Sequence, residues 1–175
     1  MAIKTIFLDR DGVINVEVNY LHKIGEFKFI DGIFEACLHF QKLDYKIIIV
    51  TNQSGIARGY YTELEFNELS KWLNKQFKNN NINILDTFHC PHGPDSSCDC
   101  RKPKPGMFFE AQNKHDVDLE KSWMIGDSET DIHGANSAGI KNTVLVSPNH
   151  LVNKTDSSAK FIINSIEHID QVIIN

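Results

Sequence analysis

The 175-residue chain has no apolar run long enough to cross a bilayer, and no N-terminal stretch of the length a secretory leader needs. The expected location is therefore the cytoplasm. Basic charge is not in excess either: 18 Lys and Arg against 23 Asp and Glu leave a net charge of −5. That speaks against nucleic-acid binding, which needs a basic face. A small anionic substrate stays open, because a few local cations outweigh the global sign. Repeats, low-complexity tracts and an interdomain linker are lacking, so one domain over residues 1–175 with one substantial core is expected. No apolar surface pattern calls for a partner subunit, a nucleic acid or a membrane, so the chain is read as a monomer. Cysteine is scarce, with four in all, yet Cys90, Cys98 and Cys100 fall in one short loop. In a reducing compartment such clustering points to a metal before disulfides. Cys37 lies on the apolar stripe of a helix and reads as core.

What is present is an alternation of short apolar runs and amphipathic stretches. Residues 3–8, 46–50, 84–88, 123–125, 143–146 and 161–163 read as strands. Helical stripes run over 32–43, from a Thr62-x-x-Glu65 capping box to residue 77, over 107–114 and from Ile132 to Gly139, with a closing helix from about Ser165. The pattern predicts an α/β fold, Rossmann-like, with a mainly parallel sheet and helices on both faces.

Polar clusters follow the strands. Asp9-Arg10-Asp11-Gly12 follows the first, Thr51-Asn52-Gln53-Ser54-Gly55 the second, Arg101-Lys102 the loop after the third, and Gly126-Asp127 to Asp131 the fourth. In a parallel sheet these ends share one edge, where open α/β sheets bind ligands. Two carboxylates as close as Asp9 and Asp11 repel unless a cation lies between them, and hard oxygen donors suit Mg²⁺. One such cluster is ordinarily a turn or a helix cap. Four together supply a nucleophile, an acid, a metal site, a hydroxyl and two cations, the inventory for moving a phosphoryl group. The prolines at 91, 94 and 103 deny the cysteine loop regular structure. Cys90, His92, Cys98 and Cys100 offer a closed tetrahedral set for structural Zn²⁺, with His89 as the competing ligand. Bound zinc would pin Arg101 and Lys102, which follow directly.

Asp9-x-Asp11-Gly12-Val13, Thr51, Lys102 and Gly126-Asp127-x-x-x-Asp131 occur in the order and over the span found in haloacid-dehalogenase superfamily phosphatases, which the sequence resembles. The resemblance implies a hydrolase of phosphoric monoesters. Asp9 is then the nucleophile that becomes an aspartyl phosphate, and Asp11 the general acid and base. Thr51 and Lys102 hold phosphoryl oxygens. Mg²⁺ is bound by Asp9, the main-chain carbonyl of Asp11, and Asp127, with Asp131 supporting the metal site. Within the superfamily the cysteine loop resembles zinc-bearing sugar-bisphosphate and histidinol-phosphate phosphatases. The run Thr51 to Thr62 is similar to enzymes removing the 7-phosphate of D-glycero-D-manno-heptose 1,7-bisphosphate, in nucleotide-activated heptose and lipopolysaccharide biosynthesis. By that analogy Glu17, Asn19, Tyr20, Asn52, Ser54, Arg58 and Arg101 touch the sugar bisphosphate. The alternatives are a histidinol-phosphate phosphatase and, outside enzymes, a receiver-like phosphoacceptor domain. A receiver places its acceptor Asp after the third strand, where this chain has the cysteine loop.

Overall fold

The structure is a computed structural model that describes residues 2–148 and 156–174. Strand β1 (Thr5–Leu8) is followed by α1 (Ile33–Lys42), β2 (Lys46–Asn52), α2 (Glu63–Asn79), β3 (Ile84–Cys90), α3 (Gly106–His115), β4 (Trp123–Gly126), α4 (Glu129–Ser137), β5 (Asn142–Val146) and β6 (Phe161–Ile163). The six strands form one sheet in the order β3-β2-β1-β4-β5-β6, and every pairing is parallel. Chain order reverses between β1 and β4. In a doubly wound sheet that reversal opens the crevice where ligands sit.

Parallel strands covered on both faces are apolar at consecutive positions. In β1, Ile6 and Leu8 face one way, against Ile33, Cys37 and Phe40 of α1 and Leu69, Leu73 and Phe77 of α2. Phe7 faces the other way, against Met107, Phe108 and Ala111 of α3 and Ala135 of α4. Cys37 is fully buried in the first of these cores. Helix α2 starts at the predicted capping box: the Glu65 N–H donates to Thr62 Oγ1 at 3.2 Å and the Thr62 N–H to Glu65 Oε2 at 2.7 Å.

Several element bounds differ from the sequence reading, and three differences bear on the fold. Strand β1 begins at Thr5, and Ile3 makes only an isolated bridge to Val117. Strand β2 continues through Thr51 and Asn52, because β3 runs on to pair with them through His89 and Cys90. The closing helix is a 3-10 helix, Ile166–Gln171. Its buried Ile166 and Ile169 are three apart, the repeat that shares a face at three residues per turn.

Candidate active site

The first and fourth clusters meet because β1 and β4 are neighbours. The Asp9 N–H donates to the Ile125 carbonyl at 3.0 Å, and Asp127 follows β4 directly. After Asp9 the chain turns sharply: the amides of Val13, Ile14 and Asn15 all point back to the Arg10 carbonyl. Gly12 has φ +84°, and a Cβ there would lie 1.9 Å from Asp127 Oδ2. Only glycine permits both the left-handed turn and the approach of the second carboxylate. Residues 15 and 29 bridge antiparallel, with Val16 N–H on the Lys28 carbonyl and Ile30 N–H on the Ile14 carbonyl. This short ribbon carries the intervening segment out to the mouth of the cleft.

Lys102 reaches the floor of the cleft from the loop after β3. Its backbone is held by Asn52, whose Oδ1 accepts from the Lys102 N–H and whose Nδ2 donates to the Lys102 carbonyl, both at 3.0 Å. Its buried ammonium donates to the Val50 carbonyl at 2.7 Å and pairs with Asp9 at 2.8 Å and Asp131 at 2.6 Å. Burial alone would push the ammonium pKa down, but Asp131 and Asp9 outweigh it and hold the pKa above the ordinary lysine value. Burial pushes the Asp9 carboxyl well above the ordinary range, and Asp131 adds to the rise while Lys102 opposes it. Asp127 is raised to about 7, by burial first and then by Asp131 and Glu17. Asp131 spends one oxygen on Lys102 and the other on the N–H and hydroxyl of Ser128, at 3.2 and 2.9 Å. Carboxylate oxygens of Asp9, Asp127 and Asp131 lie within 4.8 Å of one another. This crowding of hard oxygens, with raised acid pKa values, fits a divalent cation.

Asp11 sits beside this group. Arg10, Asn15 and Gln53 all donate to its carboxylate, at 3.0 to 3.3 Å. The sequence pattern does not single out Arg10, Gln53 or Tyr61, yet all three are buried on the cleft wall. Arg10 occupies the free position between the two aspartates, and its burial beside Asp11 emerges only in the structure. Its Nη1 lacks a hydrogen-bond partner among the described residues, and its guanidinium lies 5.9 Å from the Phe66 ring centroid, a cation–π contact.

The cleft has a volume of about 370 Å³. Its wall brings together Asp9, Asp11, Thr51, Lys102, Asp127 and Asp131 with Glu17, Asn19, Tyr20, Asn52 and Ser54. Two expected sugar contacts lie off that wall. Arg58 is exposed on the loop before α2. Arg101 is half-buried, with Nη1 donating to the His92 carbonyl at 3.2 Å. Asn52 lines the cleft, but both ends of its amide are spent on Lys102. Tyr20, at φ 59°, meets Tyr60 edge-on with ring centroids 4.5 Å apart, joining the two loops that rim the mouth.

The cysteine loop converges as well. Cys90, His92, Cys98 and Cys100 place one donor atom each within 4.8 Å of the others. Cys90 and Cys98 sulfurs are 3.7 Å apart, and His92 Nδ1 lies 3.5 Å from Cys90 Sγ and 3.3 Å from Cys100 Sγ. Zn–S bonds of about 2.3 Å at tetrahedral angles give S···S edges of about 3.8 Å. The donor set therefore has the size and softness for Zn²⁺. Burial works against ionisation of Cys98, but the Arg101 N–H and the Ser96 hydroxyl outweigh it and bring its thiol down to about 6. His89 is turned away, with Nε2 on Glu63 and its ring 4.1 Å from that of Phe66.

Comparison with known proteins agrees with the geometry. Over 98% of this chain and 97% of the relative, the sequence is 43% identical to a D-glycero-alpha-D-manno-heptose-1,7-bisphosphate 7-phosphatase of Photorhabdus laumondii. The chain belongs to the haloacid-dehalogenase-like phosphatases. It is 37% identical, over 98% of its length and 94% of the relative's, to the D-glycero-beta-D-manno-heptose-1,7-bisphosphate 7-phosphatase of Escherichia coli K12. The HAD-hydrolase-like family model matches residues 99–168, from the cysteine loop to the final 3-10 helix. A crystal structure of D,D-heptose 1,7-bisphosphate phosphatase from B. bronchiseptica, complexed with magnesium and phosphate, superposes with a TM-score of 0.84. That protein is 29% identical, and the match covers 97% of both chains. Phosphatases of this family use metal ions. The family also sets aside the receiver-like reading, and the named relatives do not favour histidinol phosphate. Among the described residues, no helix is long and apolar enough to cross a membrane.

Proposed function

We propose that the protein removes the 7-phosphate of a D-glycero-D-manno-heptose 1,7-bisphosphate through an aspartyl-phosphate intermediate. The observation that carries the substrate is 37–43% identity, over 98% of this chain, to relatives named for this reaction. The chemistry is supported by Asp9 at the junction of β1 and β4, with a buried cation against it. An Asp9 carboxylate oxygen attacks phosphorus as the bond to the sugar oxygen breaks, and Asp11 gives the leaving alkoxide its proton. Asp11 then takes a proton from the water that attacks the aspartyl phosphate, releasing inorganic phosphate and restoring Asp9. The Thr51 hydroxyl and Lys102 ammonium hold the phosphoryl oxygens. Asp9, Asp127 and the main-chain carbonyl of Asp11 would hold Mg²⁺, which neutralises phosphoryl charge when bound. Asp131 orients Lys102 and the start of α4. Glu17, Asn19, Tyr20 and Ser54 are proposed sugar contacts. Arg58 and Arg101 are proposed for the second phosphate, which requires their side chains to swing toward the mouth. The substrate test is kcat/KM across both anomers of heptose 1,7-bisphosphate, other sugar bisphosphates and histidinol phosphate. A heptose bisphosphate is expected to lead, and preference for histidinol phosphate would end the assignment.

Two metal predictions accompany this reading. Protein purified without chelator should contain about one zinc per chain, bound by Cys90, His92, Cys98 and Cys100. Cys98→Ala should lose that zinc and release thiols to reagents. A zinc-free preparation with freely reactive thiols would refute the site. For Mg²⁺, the raised Asp127 value sets the sign. Below about 7 the carboxyl holds a proton that the cation must displace. Apparent Mg²⁺ affinity should therefore weaken as pH falls through about 7, because the proton on Asp127, and that on Asp9 where it is held, must be displaced. Calorimetric titration of the metal-free protein at pH 6, 7 and 8 measures this, and a pH-independent affinity would contradict it.

A further inference from the structure

We infer that Gln53 is a positioning residue, locked in one amide orientation by Arg10 and Tyr61, that sets the Asp11 carboxylate and the Thr51 hydroxyl in mutual register. This deepens the proposed mechanism and rests on the roles it gives to Asp11 and Thr51.

Gln53 follows β2 immediately and is buried. Its backbone N–H donates to the Cys90 carbonyl at 2.8 Å, so the main chain is tied to the start of the cysteine loop. The side-chain amide is saturated. Nε2 donates to Asp11 Oδ2 at 3.1 Å and to Thr51 Oγ1 at 2.8 Å. Oε1 accepts from Arg10 Nη2 at 3.3 Å and from the Tyr61 hydroxyl. An amide can usually be turned over, exchanging its oxygen and nitrogen, without a large penalty. Here it cannot. A guanidinium only donates and a carboxylate only accepts, so exchange would set donor against donor at Arg10 and acceptor against acceptor at Asp11.

A second observation shows that the arrangement is built. Tyr61 reaches Oε1 by lying across Gly55, where a Cβ would come within 2.1 Å of Tyr61 Cε1. His22 stacks on the Tyr61 ring, with centroids 5.1 Å apart and 12° between planes. The rim of the cleft thereby fixes a ring, the ring fixes an amide, and the amide fixes two groups proposed to act on different oxygens of the same phosphoryl group. Asp11 has to meet the leaving oxygen while Thr51 holds a non-bridging one. An error of an ångström in either costs on the order of 10²-fold in rate.

Three variants test this, on whichever phosphomonoester the wild type turns over fastest, so that failure of the heptose assignment leaves the test standing. Gln53→Ala should lower kcat by about 10- to 100-fold, with KM within about threefold. Gln53→Glu keeps the volume but replaces the Nε2 donor with an oxygen facing Asp11. It should be at least as impaired as Gln53→Ala, the reverse of what a packing role would give. Tyr61→Phe removes one hydroxyl and keeps the ring, and should lower kcat about 3- to 10-fold with unchanged thermal stability. A kcat within twofold of wild type in Gln53→Ala, rescue by Glu, a loss confined to KM, or a silent Tyr61→Phe would each overturn the inference.

Discussion

Asp9→Asn is expected to lower kcat by about 10⁴-fold or more, the scale on which loss of a covalent nucleophile is felt. The amide has the shape of the carboxylate but cannot form the acyl phosphate. The fold should survive, because the cost of burying Asp9 as an anion already works against folding. Burial and Asp131 hold its pKa far above the ordinary value, so a neutral side chain relieves repulsion in the metal-free protein. The variant should therefore be at least as resistant to urea as the wild type at pH 7.5. Phosphate release and a urea titration check the two halves. Near-normal turnover would exclude the covalent scheme.

Lys102→Met is expected to damage stability and activity together. It leaves Asp9 and Asp131 buried without their shared cation, and breaking a buried ion pair from one side costs about 3–5 kcal/mol. The sign with pH follows from Asp9. Its folded pKa lies above its unfolded value, so between the two the folded state holds the extra proton, and stability falls as pH rises through that window. Removing the lysine raises the folded value further. The variant should thus be closer to wild type at pH 5 than at pH 7.5, as read by urea midpoints. Activity should fall on the order of 10³-fold if Lys102 has the proposed role, since the cation assigned to the phosphoryl oxygens is lost. Lys102→Arg should not rescue it, because a planar fork does not fit where one ammonium meets Val50, Asp9 and Asp131.

The sequence revealed the fold because the apolar runs carry the signal of doubly covered strands, and the clusters after them mark one edge of the sheet. It also revealed which clusters would meet. What it hid is how each group is held. Asn52 looks like a substrate contact in the sequence, yet its amide is consumed by the Lys102 backbone 50 positions away. Arg58 and Arg101 look like anion binders in the sequence, which does not show that they start off the cleft wall, Arg58 exposed and Arg101 donating to the His92 carbonyl. Arg10, Gln53 and Tyr61 carry no pattern of their own in the sequence because each makes sense only through the others. Hydrogen-bond reciprocity at sequence separations of 8 to 43 leaves no periodic trace.

The two hydrogen bonds between the Asn52 amide and the Lys102 backbone separate the reach of the loop from its length. On one side the loop is tied at Lys102, and on the other Cys90 is fixed by its pairing with Asn52 in the sheet. The cluster of Cys90, His92, Cys98 and Cys100 joins these two anchors. Segment 94–97 is exposed and lies between the second and third of those side chains. Added residues there would bulge into solvent with little entropic cost, which grows only with the logarithm of loop length. The cation at the cleft floor would not move. The cysteine loop can therefore serve as an insertion point, where new surface for substrate selection or a fused module is added while the phosphoryl chemistry stays constant.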